Sequence, residues 1–266
     1  MGQEVARTLA EAPLHRVSGT LLVAGDPGGS FHLRDGAIAE VASPGAPGAE
    51  TLLLRSARIS ETDWAAATLS CPAERPLGAE LVERKLVGAA ELQLICVAAA
   101  LDGALAIGMG RIDGFTLERD THDCRVPALR PIEPDWLVRE AERRIRALAA
   151  RRHPFSPFRT RLGRTDAGTA ALDTAADGER REILLRVNGR RSTRDIAFLL
   201  GRSLYAVAVE VSRLLGEDLV EAVVPDASTA TDPYAGPRTP TDGLPRRLPG
   251  ASGITNVLPL RPAAGL

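Results

Sequence analysis

The sequence predicts an α+β fold joined through a linker helix to a C-terminal winged helix-turn-helix, and three observations carry that expectation. Residues 17–42 alternate and turn as strands do, residues 49–100 carry apolar positions at helical spacing, and residues 179–223 read as three short helices and a strand. Strands, then helices, then strands favour helices gathered on one face of a sheet.

In chain order, residues 1–13 form a lead-in without a firm pattern. Residues 17–24 read as a strand, Gly25-Asp26-Pro27-Gly28-Gly29 as a turn, and residues 31–33 as the start of a second strand. Arg34-Asp35-Gly36 turns tightly into a third strand at residues 37–42, because Asp-Gly readily takes the positive φ of a hairpin loop. Residues 49–57 then read as a helix with Leu52, Leu53 and Leu54 covering one face. Ser60 opens another, with Asp63 complementing its N-terminal dipole and Trp64 entering the core. Residues 76–86 and 89–100 read as two more helices around Gly88, and Asp102-Gly103 leads back to strands at residues 104–109 and 115–117.

Pro127, Pro131 and Pro134 predict an extended connection, after which Asp135 caps a helix at residues 136–151 with Leu137, Ile145 and Leu148 on one side. Few contacts are expected to cross that connection, so the two folded parts are expected to be independent. From residue 139 to 164 nine arginines face two glutamates, a local charge of +7.

In the C-terminal part, Ile183, Leu184 and Val187 mark a helix ending at Asn188-Gly189. Ser192 or Thr193 caps a short second helix that stops at Gly201, and Ser203 caps a third with Leu204, Val207, Val211, Leu214 and Leu215 on one stripe. Residues 218–224 read as a strand that begins a wing. From Asp226 on, Pro, Gly, Ser and Thr dominate and predict disorder. The resulting division is 14–120 for a regulatory α+β domain, 121–164 for a basic linker with its helix, 165–225 for the winged helix-turn-helix and 226–266 for the tail.

Two resemblances bear on this division. Asn188-Gly189-Arg190-Arg191-Ser192, Asp195-Ile196-Ala197, Leu200-Gly201-Arg202-Ser203 and Leu219-Val220 resemble the winged-helix domains of MarR-like regulators of actinobacteria. Ser18-Gly19-Thr20-Leu21, Leu33-Arg34-Asp35-Gly36-Ala37-Ile38 and Leu77-Gly78-Ala79-Glu80-Leu81-Val82-Glu83 resemble the N-terminal domain of PatA-like bacterial regulators, which implies a non-enzymatic signalling module. The tail segment 244–250, containing Leu244, Pro245, Arg246 and Arg247, resembles short Pro-Arg tail motifs of actinobacterial sensor kinases and implies partner binding.

Composition narrows the function classes. A net charge of -1 argues against binding a polyanion over the whole surface, so local patches matter more. Cys71, Cys96 and Cys124 are widely spaced without a CxxC, which indicates reduced thiols and neither a disulfide framework nor a zinc site. No unbroken apolar run reaches the roughly 18 residues that cross a bilayer, and the N terminus lacks the order of a signal peptide, so the chain reads as cytoplasmic with no membrane partner.

No catalytic, cofactor or metal site is expected. His15, His32, His122 and His153 are scattered without HExxH, GxSxG or a paired carboxylate, and His122-Asp123-Cys124 offers too few ligands for a metal. The glycine turn at residues 25–29 lacks the Lys-Ser/Thr of a phosphate loop and precedes a strand.

Duplex DNA is the leading partner, with Arg190, Arg191, Arg194, Arg202, Ser203, Tyr205 and Arg213 as reader residues and Arg143, Arg144, Arg151 and Arg152 as phosphate contacts. Residues 177–224 carry eight arginines and eight acids, however, and a neutral reader is weak alone. The alternative is an adaptor whose winged helix and tail bind proteins such as sensor kinases or small GTPases.

Overall fold

The computed structural model describes residues 1–72, 75–119, 124–174 and 178–223. The chain begins with a helix, α1 (Gln3–Glu11), where the sequence offered no firm pattern. Val5 and Leu9, one turn apart, are buried and dock it. Strands β1 (Gly19–Asp26), β2 (Gly29–Arg34) and β3 (Ala37–Ala42) form the expected meander. Helices α2 (Ala49–Arg55), α3 (Glu61–Ser70), α4 (Leu77–Glu83) and α5 (Ala89–Met109) follow. Strand β4 (Arg111–Arg119) returns antiparallel to β1, giving a four-stranded sheet of order β3-β2-β1-β4. The chain continues through α6 (Pro134–Ala149), β5 (Arg161–Arg164), α7 (Asp166–Thr174), α8 (Glu179–Arg186), α9 (Thr193–Leu200), α10 (Leu204–Gly216) and β6 (Val220–Val223). The fold is mixed α+β.

The β2–β3 turn forms as its residues dictate. Asp35 and Gly36 both have positive φ, 51° and 85°, and Arg34 pairs with Ala37 across a two-residue loop. Alternation along the strands sends Leu21, Val23, Phe31 and Leu33 inward, where they share a core with Val5, Leu9, Ala104, Ile107 and Leu137. On the opposite face His32 is held between Thr20 Oγ1, 3.1 Å from Nδ1, and Ser30 Oγ, 3.2 Å from Nε2.

Helix α5 organises the interior. It runs unbroken for 21 residues, about 31 Å at 1.5 Å per residue, and contributes to all three apolar clusters of the fold. The strand expected at residues 104–109 is therefore its last turns. Asp102-Gly103 reads as a turn pair in isolation, but Gly103 is a packing glycine: a Cβ there would lie 3.0 Å from a Val41 methyl and 3.1 Å from the Val41 carbonyl. Among the described residues α5 is also the helix long and apolar enough to cross a membrane by length and composition, and 61% of its apolar window is buried here. Cys96, on the same helix, points its thiol toward the carbonyls of Val126 and Pro127, and burial with Glu40 nearby pushes that thiol up to about 12. None of the three cysteines is in a disulfide.

Several helix ends differ from expectation. Helix α6 is capped by the Glu133 carboxylate, which accepts from the amides of Asp135 and Trp136, so that Pro134 and not Asp135 opens the helix. Helix α8 ends at Arg186, and residues 189–191 instead run beside β5: the Gly189 amide donates to the Leu162 carbonyl and the Leu162 amide to that of Arg191. Segment 161–164, read as basic linker, is thus a strand, and it pairs with β6 along its full length.

Helix α9 has a complete capping box. The Ser192 hydroxyl accepts from the Asp195 amide at 3.3 Å and the Asp195 carboxylate accepts from the Ser192 amide at 2.9 Å. Ser192→Ala is expected to cost about 1 kcal/mol, measured by urea unfolding. A variant as stable as the parent would show that the box is dispensable.

The two parts share a core. Met1–Val224 clusters as one compact unit, and Leu105 and Ala106 of α5 belong to the same core as Ile183, Leu184, Leu204, Val207 and Val211. The proline-punctuated connection does not swing free either. It lies against the edge of β3, where Ile38 and Ile132 exchange both amide hydrogen bonds and the Ala128 amide donates to Ala39.

Candidate functional site at the start of the last helix

The first amides of a helix lack intrahelical partners and attract an anion. At α10 the Ser203 hydroxyl accepts from the Ala206 amide, 3.4 Å away. The remaining donors are met from another element. Asp102 of α5, fully buried, accepts from the Leu204 amide at 2.7 Å and the Tyr205 amide at 3.3 Å. Burial pushes its carboxyl from 3.8 up to about 6, opposed by the hydrogen bond of Ser203, the charge of Arg144 and the two amides.

Arg144, on α6, closes the arrangement. Its guanidinium lies 3.6 Å from Asp102, donates to Glu140 at 3.0 Å, and stands 4.8 Å above the centre of the Tyr205 ring. Arg143 donates to both oxygens of Glu140 at 2.7 Å and, against burial and with help from Arg144, holds that carboxyl down to about 2. Three helices distant in sequence therefore meet at one buried charge pair.

The expected reader and phosphate-contacting residues separate into three groups on this frame. Arg144, Ser203 and Tyr205 are committed to the internal network. Arg202 pairs with Glu179 at 3.3 Å and Glu182 at 2.6 Å, Arg213 with Glu210 at 3.1 Å, Arg194 with Asp195 at 3.2 Å, and Arg143 with Glu140. Arg191 donates to the Arg186 carbonyl. Arg190 and Arg152 are exposed and Arg151 is half-buried, and among the described residues no carboxylate pairs with these three. Leu244, Pro245, Arg246, Arg247, the rest of the tail, His122 and Asp123 lie outside the described residues.

The turn between α9 and α10 also touches the N-terminal half. Gly201 has φ +58°, and a Cβ there would fall 2.6 Å from the Ser56 amide nitrogen and 2.7 Å from Arg55 Cβ at the end of α2. Beside this contact opens a cleft of about 800 Å³ lined from α2, α5, α8, α9 and α10. Among the described residues no three His, Cys, Asp or Glu side chains are grouped to hold a metal. Comparison with family models, with curated proteins and with solved structures returned no match for this chain.

Sequence reading missed Asp102 as a functional position. The available signal was a lone acid inside an apolar stretch, which calls for a buried partner because an uncompensated charge there is costly.

Proposed function

We propose that this chain is a non-enzymatic cytoplasmic signalling adaptor whose C-terminal helices recognise protein, as the resemblance of its N-terminal segments to PatA-like regulators would imply. In this reading α8, α9, α10 and β6 form a winged-helix-like module fixed to the N-terminal half. The observation that carries it is the occupied start of α10. A helix-turn-helix reads base edges with that end of its third helix, and here Asp102 accepts from its first amides, while Tyr205 lies under Arg144.

Duplex DNA remains the second reading because Arg151, Arg152 and Arg190 carry no paired carboxylate among the described residues. The test is a shift assay of the full chain on duplex from its own upstream region across a salt series. Weak, sequence-indifferent association is expected, and Arg151→Ala with Arg152→Ala is expected to reduce the slope of log K against log salt by about 1.8, at roughly 0.9 per lost phosphate contact. Tight sequence-specific binding that Arg202→Ala and Tyr205→Phe weaken would overturn the adaptor reading in favour of a transcriptional regulator.

A further inference from the structure

We propose that the cleft between the two halves is the docking surface for an acidic amphipathic helix of a protein partner, an inference that rests on the adaptor reading and names the chemistry of its ligand. Leu94 of α5, Leu185 of α8 and Leu199 of α9 are 70%, 44% and 47% exposed, and all three line this one cleft. Single exposed leucines are ordinary, but here three separate helices bring theirs to one depression of mixed polar and apolar lining, where apolar anchors and charges of a partner can both be met.

The charges around that patch select the partner. Arg58 pairs with Glu91 at 2.9 Å, and Arg202 holds both Glu179 and Glu182, which leaves one carboxylate in excess there. Arg55 of α2 and Arg186 of α8 line the same cleft, and among the described residues no carboxylate pairs with either. Over the lining four arginines face three glutamates, so the cleft carries +1, with Arg55 and Arg186 as its unpaired charges, although the chain as a whole carries -1. A partner with carboxylates beside its apolar side chains complements it. The chain's own tail does not, since residues 225–266 hold four arginines and three aspartates.

The backbone around the cleft selects the conformation. Its lining residues belong to helices and their ends, so it offers no strand edge for a peptide to extend. An amphipathic helix with apolar anchors at helical spacing needs none, and among the described residues the lining holds no aromatic side chain on which a polyproline segment would dock. Ser203, which lines the cleft, also hydrogen-bonds Asp102, so the closed contact between the halves shapes the floor on which the partner lies.

The test is selection on the full-length protein from a displayed library of random segments about 16 residues long, enough for roughly four helical turns. Enriched segments are expected to carry Leu, Ile, Met or Phe at helical spacing with flanking Asp or Glu. Their binding is expected to fall about tenfold or more, some 1.4 kcal/mol, with Arg55→Ala plus Arg186→Ala and again with Leu199→Gln. Both changes lie on exposed side chains, and each variant is expected to keep the parent's circular dichroism spectrum. Arg55→Glu plus Arg186→Glu is expected to shift selection towards basic segments. The proposal fails if nothing is enriched over a protein-free control, if the enriched set is neutral or basic, or if binding ignores these variants. Acidic segments that bind with the cleft variants unchanged would sink the cleft and leave the adaptor reading standing. Sequence-specific DNA binding would sink the adaptor reading itself.

Discussion

Asp102→Ala is expected to destabilise the protein by about 3 to 5 kcal/mol at neutral pH, the cost of removing one partner from a buried ion pair. The change strips the acceptor from the amides of Leu204 and Tyr205 and leaves Arg144, only 18% exposed, with Glu140 as its remaining carboxylate. Asp102→Asn keeps the shape and one acceptor oxygen and is expected to cost less. The pair also carries a pH signature. Because burial raises the Asp102 carboxyl from 3.8 to about 6, the folded state holds its proton more tightly than the unfolded chain. The stability this group contributes is full below the unfolded value and is lost as pH rises through about 6, a swing of about 3 kcal/mol. Glu140 works in the opposite sense, since its carboxyl is held down and its contribution disappears as pH falls through about 2. Subtracting the urea stability of Asp102→Asn from that of the parent at each pH isolates Asp102. A flat difference between pH 4 and 6 would show that the carboxylate is not buried in solution.

Leu105→Ala is expected to cost about 2 to 5 kcal/mol, the loss of a fully buried leucine together with the cavity it leaves. Leu105 belongs by sequence to the N-terminal half but shares its core with α8, α9 and α10. Both tryptophans, Trp64 and Trp136, lie outside that helical group, whereas far-ultraviolet dichroism reports all the helices. Fluorescence and dichroism are expected to give one coincident urea transition in the parent, and the variant is expected to shift both together. A dichroism transition that moves while fluorescence stays in place would mean that the two halves unfold separately and that the shared core is not cooperative.

How much of this was legible follows from the range of the interactions involved. The β2–β3 turn, the Ser60 cap, the Ser192 box and the Gly201 stop depend on residues within four positions of one another, and each forms where the sequence indicates. Local reading failed where a distant element supplied the deciding contact. Asp102-Gly103 has the composition of a turn, yet the amides of α10, about a hundred residues away in sequence, satisfy the carboxylate, and β3 requires the glycine. Residues 161–164 have the composition of a basic linker, but pairing with β6 makes them a strand.

The candidate site divides in the same way. The sequence singles out Ser203 and Tyr205 as DNA readers and Arg144 as a phosphate contact, whereas in the structure all three surround Asp102. That Asp102 joins all three could not be read locally, because a buried charge finds its partner through the packing of α5, α6 and α10.

What the sequence determined by itself is the α+β class, most of the helices and strands, and the caps and turns that bound them, because hydrophobic period and terminal hydrogen bonds act over a few residues. Only the tertiary structure decided that α5 runs through all three apolar clusters, that the halves close into one unit, and that the start of α10 is filled from within. Those outcomes depend on which distant surfaces bury one another, and on the cost of leaving Asp102 and the first amides of α10 without partners.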